Sequence, residues 1–261
     1  MDLGLTGKRA LVLSSSRGLG RGIAEALAAE GAHVALTARS ADKLKEAADA
    51  INARPTGRAV QFAADIKTEA GTIAGRAAEM LGGPIDILVA NTGGPPAGTA
   101  LGTDPSVYAS QFESMVMPVL TMANQLLPGM KERGFGRILI VASSGVVQPI
   151  PNLVVSNTLR SSLVGWAKTL ASEVAQDGIT VNLILPGRIE TDRTAELDAV
   201  NAQKQGRTVD EVAKAARGTI PAGRYGRVSE FADVACFLAS ERASYVTGST
   251  VRVDGGSIRS V

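Results

Sequence analysis

Short runs of consecutive apolar residues alternate along the chain with longer segments in which apolar residues recur every three or four positions. The runs fall at 9–13, 34–37, 60–63, 85–89, 137–142, 180–184 and 249–253, and they read as strands. Between them, helical spacing covers 18–31 (Leu19, Ile23, Ala26, Leu27), 42–52 (Leu44, Ala47, Ala48, Ile51), 72–81, 106–133, 153–176 and 229–238. Strands that are apolar almost without interruption are buried on both faces, which predicts a parallel sheet covered by helices on both sides. Strand and helix in alternation give the same answer, with right-handed crossovers. Ligands of such sheets sit beyond the carboxyl ends of the strands, where the winding reverses. The loops after Leu13, Thr37, Ala63, Val89, Ala142 and Ile184 are therefore the places to look for chemistry.

Composition narrows the classes. No linker or charge run divides the 261 residues, and Gly93-Gly94-Pro95-Pro96 reads as a loop, so residues 1–261 are expected to form one α/β domain. Residues 192–219 are charge-rich and weakly periodic after the sixth strand, and they are expected to form a lid over the site. With 45% hydrophobic and 20% charged residues there is ample material for a core. A net charge of +2, with no basic stripe and 3% aromatic residues, argues against a nucleic-acid partner. No apolar run approaches the roughly 20 residues of a membrane span, and no signal segment opens the sequence, so a cytoplasmic location is expected. Cys236 lies in an amphipathic pattern and reads as core. His33 opens a strand without Cys, Asp or Glu partners nearby, so neither a metal site nor a His-based triad is expected.

The loop after the first strand carries Leu13-Ser14-Ser15-Ser16-Arg17-Gly18-Leu19-Gly20. Glycines here let the backbone approach a pyrophosphate, which the free N–H groups and dipole of the following helix then hold. The fold expected is a Rossmann type: a doubly wound, parallel, seven-stranded sheet. A dinucleotide is the natural ligand. Its type follows from the end of the second strand, where an acidic residue would bond a ribose 2′-hydroxyl. This chain has Ala38 and then Arg39, and a guanidinium clamps a 2′-phosphate that a carboxylate would repel. Arg17 adds a second charge, so NADP(H) is preferred over NAD(H).

At these residues the chain resembles the short-chain dehydrogenase/reductase family, and the likeness runs nearly end to end. The family's Thr-Gly-x-x-x-Gly-x-Gly maps onto 13–20, with Leu13 and Ser14 in place of the first Thr and Gly. The resemblance implies cofactor contacts from Ser14, Ser16, Arg17, Gly18, Leu19 and Gly20, and from Asp65 and Ile66 beside the adenine. Asn91-Thr92-Gly93 stands for the family's Asn-Ala-Gly, giving Asn91 and Gly93. Pro186, Gly187, Ile189 and Thr191 match the segment that holds the nicotinamide carboxamide, and 253–256 matches the closing strand. The family transfers a hydride between the nicotinamide and a carbonyl or alcohol carbon, using Ser, Tyr and Lys, with an Asn on the preceding long helix. Aligning Leu163 to Ala171 with the family's helix puts Ser156 at the Tyr position and Arg160 at the Lys position. Ser143 matches the Ser, and Met115 falls where the Asn belongs.

One of four catalytic groups is thus kept. A phenol can be brought toward neutrality by a neighbouring cation. A serine hydroxyl is far less acidic, and an arginine does not exchange protons at ordinary pH. Losing a positioned acid removes about 10²–10⁴-fold of rate. Ser143, Ser156 and Arg160 remain the catalytic candidates, with Arg160 also offered to the ribose. Arg188 and Arg193, flanking Thr191, are candidates to receive an acidic substrate, against the simpler reading that both face solvent. Two functions stay open: an NADP(H)-dependent oxidoreductase acting on a small carbonyl or related substrate with an altered proton donor, and a non-catalytic NADP(H)-binding sensor or scaffold. A lyase or epimerase is a more distant third. Apolar excess on the two long helices (Leu163, Val164, Trp166) and the family's habit of pairing through them lead us to expect a homo-oligomer, a tetramer.

Overall fold

A computed structural model describes residues 1–260. Its seven strands are β1 (Arg9–Leu13), β2 (His33–Ala38), β3 (Arg58–Ala63), β4 (Ile87–Asn91), β5 (Gly136–Val141), β6 (Ile179–Pro186) and β7 (Thr250–Val253). The helices are α1 (Gly18–Ala29), α2 (Ala41–Asn52), α3 (Ile66–Met80), α4 (Pro105–Met115), α5 (Met117–Arg133), α6 (Val154–Val174), α7 (Asp192–Gln205), α8 (Val209–Gly218) and α9 (Val228–Ala239). The strands form one sheet in the order β3-β2-β1-β4-β5-β6-β7, and every pairing is parallel. Because β1 has β2 on one side and β4 on the other, the winding reverses between β1 and β4. The crevice this opens lies beyond Leu13 and Asn91.

Two apolar layers sandwich the sheet. Ile23, Leu27, Leu44, Ile51, Phe231 and Leu238 from α1, α2 and α9 fill one side. Ile73, Val119, Met122, Leu163 and Leu170 from α3, α5 and α6 fill the other. All six residues of β5 are buried, as a central strand covered on both faces requires.

Three local expectations change. The helix expected over 106–133 is two helices, divided at Val116 (φ −105°, ψ −56°). Pro118 explains the break: it cannot donate to the carbonyl of Ser114, and its ring crowds that carbonyl. The helix expected from 72 begins at Ile66, because Asp65 accepts from Lys67 N at 2.9 Å and Glu69 reaches back to Asp65 N at 2.8 Å. The strand expected over 85–89 pairs over Ile87–Asn91, which carries Asn91 to the strand end. Residues 192–219 are ordered into α7 and α8, each with its own N-cap, Thr191 and Thr208. Leu163 is spent in the monomer core at 1% exposure, whereas Val164 and Trp166 stay partly buried.

Candidate functional site

The nucleotide end is built mainly from backbone. Ser15 is fully buried, and its hydroxyl donates to Val12 O at 2.8 Å while accepting from Thr37 N at 3.0 Å. This ties the turn to the end of β2. Ser14 sits at φ +50° and Gly18 at φ +59°. Gly20 is required by space, since a Cβ there would lie 2.6 Å from Ser14 O and 2.8 Å from Asn91 Nδ2. Asn91 in turn donates to Ser14 O at 3.4 Å, lacing β4 to the turn across the switch point. Arg17 stands at the N-cap of α1 with no side-chain cap bond, so the first N–H groups of the helix are left for an anion. A cleft of about 370 Å³ adjoins it, lined by Arg17, Gly18, Thr191 and Asp192 among others.

The other expected contacts frame this loop. Leu19 is half-buried beside Gly20, Ser16 is half-buried in the turn, and Arg39 is exposed just past β2. Asp65 and Ile66 stand at the start of α3, where one Asp65 oxygen caps the helix. Gly187 is another position that only glycine fits: its Cβ would meet Asp254 Cα at 2.5 Å, and its N–H donates to Val253 O at 2.9 Å. Ile189 is buried in the layer of α1 and α9. Thr191 caps α7, and its methyl lies 3.7 Å from the Cβ position of Gly18, so the β6 segment closes on the glycine turn. Arg17 reaches across to α7, pairing with Asp192 at 3.1 Å and Glu196 at 3.5 Å. These residues fit a dinucleotide: a cradle that a Cβ would fill, an uncapped helix, and Arg39 where a carboxylate would repel a 2′-phosphate.

The reacting end is held differently. Arg160 is buried (7% exposed) on α6, and Nη1 donates to Val141 O at 2.7 Å. Its Nη2 donates to Thr92 O and Gly93 O, both at 3.2 Å. The guanidinium thus stitches the ends of β4 and β5 to α6, and its terminal nitrogens are taken by main chain. Burial pulls its pKa down to about 10, which still leaves it charged at neutral pH. Ser156, one turn earlier, is also buried at 7%. Ser143 follows β5 and accepts from Gly145 N at 3.1 Å. Gly93 is exposed in the loop beyond β4. Met115, at the position of the family's Asn, is 2% exposed and packs into the core at the α4–α5 break.

Two arrangements escaped the sequence reading. Asn157 clasps the loop before α6 through both amide atoms, accepting from Ile150 N at 3.3 Å and donating to Ile150 O at 2.9 Å. Arg188, Asp198 and Tyr225 form a network beneath α7. Neither leaves a local motif, although Asn157 beside Ser156 was open to notice. Cys236 is buried, and burial pushes its thiol up to about 12, which suits a core residue. Among the described residues there is no group of His, Cys, Asp or Glu placed to hold a metal, and no helix is long and apolar enough to cross a membrane.

A parallel sheet with a glycine-lined turn at its switch point defines a Rossmann-type protein of the α/β class. A family model described as "Enoyl-(Acyl carrier protein) reductase" matches residues 13–257. The chain is 35% identical over 252 residues to the 3-oxoacyl-[acyl-carrier-protein] reductase FabG of Salmonella typhimurium, covering 96% of this chain and 97% of that one. It is 33% identical over 258 residues to the pig (Sus scrofa) dehydrogenase/reductase SDR family member 4, covering 97% and 88%. Among solved structures, the L-sorbose reductase of Gluconobacter frateurii, complexed with NADPH and L-sorbose, superposes with a TM-score of 0.94 at 35% identity, covering 100% of both chains. The chain belongs to the short-chain dehydrogenase/reductase family.

Proposed function

We propose that this protein is an NADP(H)-dependent reductase of a small carbonyl or conjugated carbonyl compound, working without a protein phenol as proton donor. The observation that carries the reading is Arg160: a buried guanidinium, held by three carbonyls, in place of a mobile ammonium beside a tyrosine. The FabG and sorbose reductases named above match the chain over 97% and 100% of their own lengths, and the sorbose reductase is complexed with NADPH, which supports the cofactor and the reaction type.

Arg17 and Arg39 would hold the phosphates, and the N–H groups of α1 the pyrophosphate. Pro186, Gly187 and Thr191 would face the nicotinamide, with Ile189 offering only its main chain there because its side chain is in the core. Bound NADPH supplies a hydride for an electrophilic carbon of the substrate. As that carbon gains the electron pair, negative charge grows on the substrate oxygen. The fixed positive charge of Arg160 stabilises it electrostatically, which needs no proton in flight. Ser143 and Ser156 orient the oxygen by hydrogen bonds, and water supplies the proton afterwards. Such a site favours substrates whose anion is already delocalised over simple secondary alcohols. The non-catalytic alternative has one observation in its favour, the loss of every family proton donor.

The test is NADPH consumption against ketones, aldehydes, quinones and enones, beside secondary alcohols with NADP⁺. Turnover of at least one conjugated carbonyl, with little alcohol oxidation, is expected. Tight NADPH binding with no consumption across the panel overturns the enzyme reading in favour of the sensor.

A further inference from the structure

We infer that Arg188 is the receptor for an anionic group on the substrate, so that the substrate class is a small oxo compound bearing a carboxylate; this rests on the reductase reading above. Arg188 leaves the chain between Gly187 and Ile189, within the segment that faces the nicotinamide. Ile189 turns into the core shared with α1 and α9, whereas Arg188 turns against α7. Its Nη1 donates to Asp198 Oδ1 at 2.7 Å and lies 3.4 Å from the Tyr225 hydroxyl. Tyr225 donates to the other carboxylate oxygen at 2.7 Å, so both oxygens of Asp198 are engaged.

The asymmetry of burial points outward. The Asp198 side chain is 4% exposed, while that of Arg188 is 42% exposed. Burying a carboxylate on a helix that is otherwise largely polar and exposed is costly unless the ion is paired. A lid that needed only to be fastened could use an apolar side chain in its place. What Asp198 and Tyr225 add is orientation: with Nη1 fixed, the other edge of the fork is presented in one direction, the preorganisation that bidentate carboxylate recognition uses. A second guanidinium adds charge, since Arg217 lies 5.7 Å from the Tyr225 ring centre and Arg188 lies 5.9 Å from it. Two cations thus flank the Tyr225 ring, and one of them, Arg188, pairs with Asp198. Arg193 offers no such arrangement: it is more than half exposed and faces Glu196 at 3.6 Å.

The experiment uses 2-oxo, 3-oxo and 4-oxo acids, each beside its methyl ester, with wild type, Arg188→Gln and Arg188→Lys. Affinity for the NADP⁺ complex is read by calorimetry, and turnover by NADPH consumption. For at least one pair, wild type should favour the acid by 10- to 100-fold. Arg188→Gln should erase that preference by weakening the acid alone, while Arg188→Lys, which keeps the pair with Asp198, retains part of it. Equal affinity for every acid and its ester in wild type overturns the inference. So does an Arg188→Gln variant that weakens acid and ester alike, which is the result of a mere lid fastening. Should no compound be turned over, the reductase reading fails by itself, and the binding titration still decides Arg188.

Discussion

The nucleotide end and the reacting end of this cleft lie on the same sheet but are specified in different ways. Around β1 and α1 the work is done by backbone: N–H groups at a helix start, a glycine at 20 whose Cβ has no room, and the lacing of Asn91 to Ser14. Such a site depends on where residues have no side chain. Around β5 and α6 it depends on which side chain is present, and there we read Ser156 and Arg160 at the family's Tyr and Lys positions, with Met115 of α4 at its Asn position. The fold tolerates this because Arg160 has found structural partners in Val141, Thr92 and Gly93. A backbone site is hard to alter without breaking the fold, whereas a side-chain site can be rebuilt within it.

Arg160→Met should cost about 3 kcal/mol or more in urea unfolding, because three main-chain carbonyls, two of them in buried bonds, lose their donor. A destabilisation below 1 kcal/mol would mean the clasp is not structural. Gly20→Val should reduce NADPH affinity by about 100-fold or more and cost roughly 1–3 kcal/mol from overpacking, measured by fluorescence titration and thermal melting. Arg39→Ala comes next: NADPH affinity should fall about 10- to 100-fold with NADH unchanged, as for one charge-assisted phosphate contact. Equal affinities for both cofactors in wild type would remove the reason for preferring NADP(H). The smallest effect is Ser14→Gly, which relieves a left-handed serine and should stabilise the fold by about 1 kcal/mol.

Much of the nucleotide end could be read in the sequence, because Gly18, Gly20, Gly187 and Asn91 leave marks that geometry explains. The parallel seven-stranded sheet and its two covering layers followed from unbroken apolar runs alternating with helical spacing, whereas the strand order β3-β2-β1-β4-β5-β6-β7 rests on pairing that no local pattern encodes. The break at Val116 was legible in Pro118 but was passed over, because apolar spacing continues across it. The surplus apolar surface inferred from Leu163 was in part an accounting error, since that residue faces its own sheet. The Arg188–Asp198–Tyr225 network could not be read at all, as it joins residues 10 and 27 positions apart through tertiary packing. Oligomeric state is an expectation that light scattering decides, a tetramer being four times the 26.8 kDa chain.

Reduction beside a fixed cation, and not a titrating acid, would show in the pH dependence of kcat on the best substrate of the panel. Burial lowers the pKa of Arg160 to about 10, so its charge is fully present at neutral pH and is lost only as the pH rises through that value. The folded state carries the cost of that buried charge at every lower pH, which is why pH in the physiological range does not switch it. We expect kcat to stay flat from about pH 6 to 9 and to decline only near pH 10, with Ser156→Ala lowering it by no more than about 10-fold. A bell-shaped profile with a pKa between 6 and 9, or a 10³-fold loss in Ser156→Ala, would contradict this expectation.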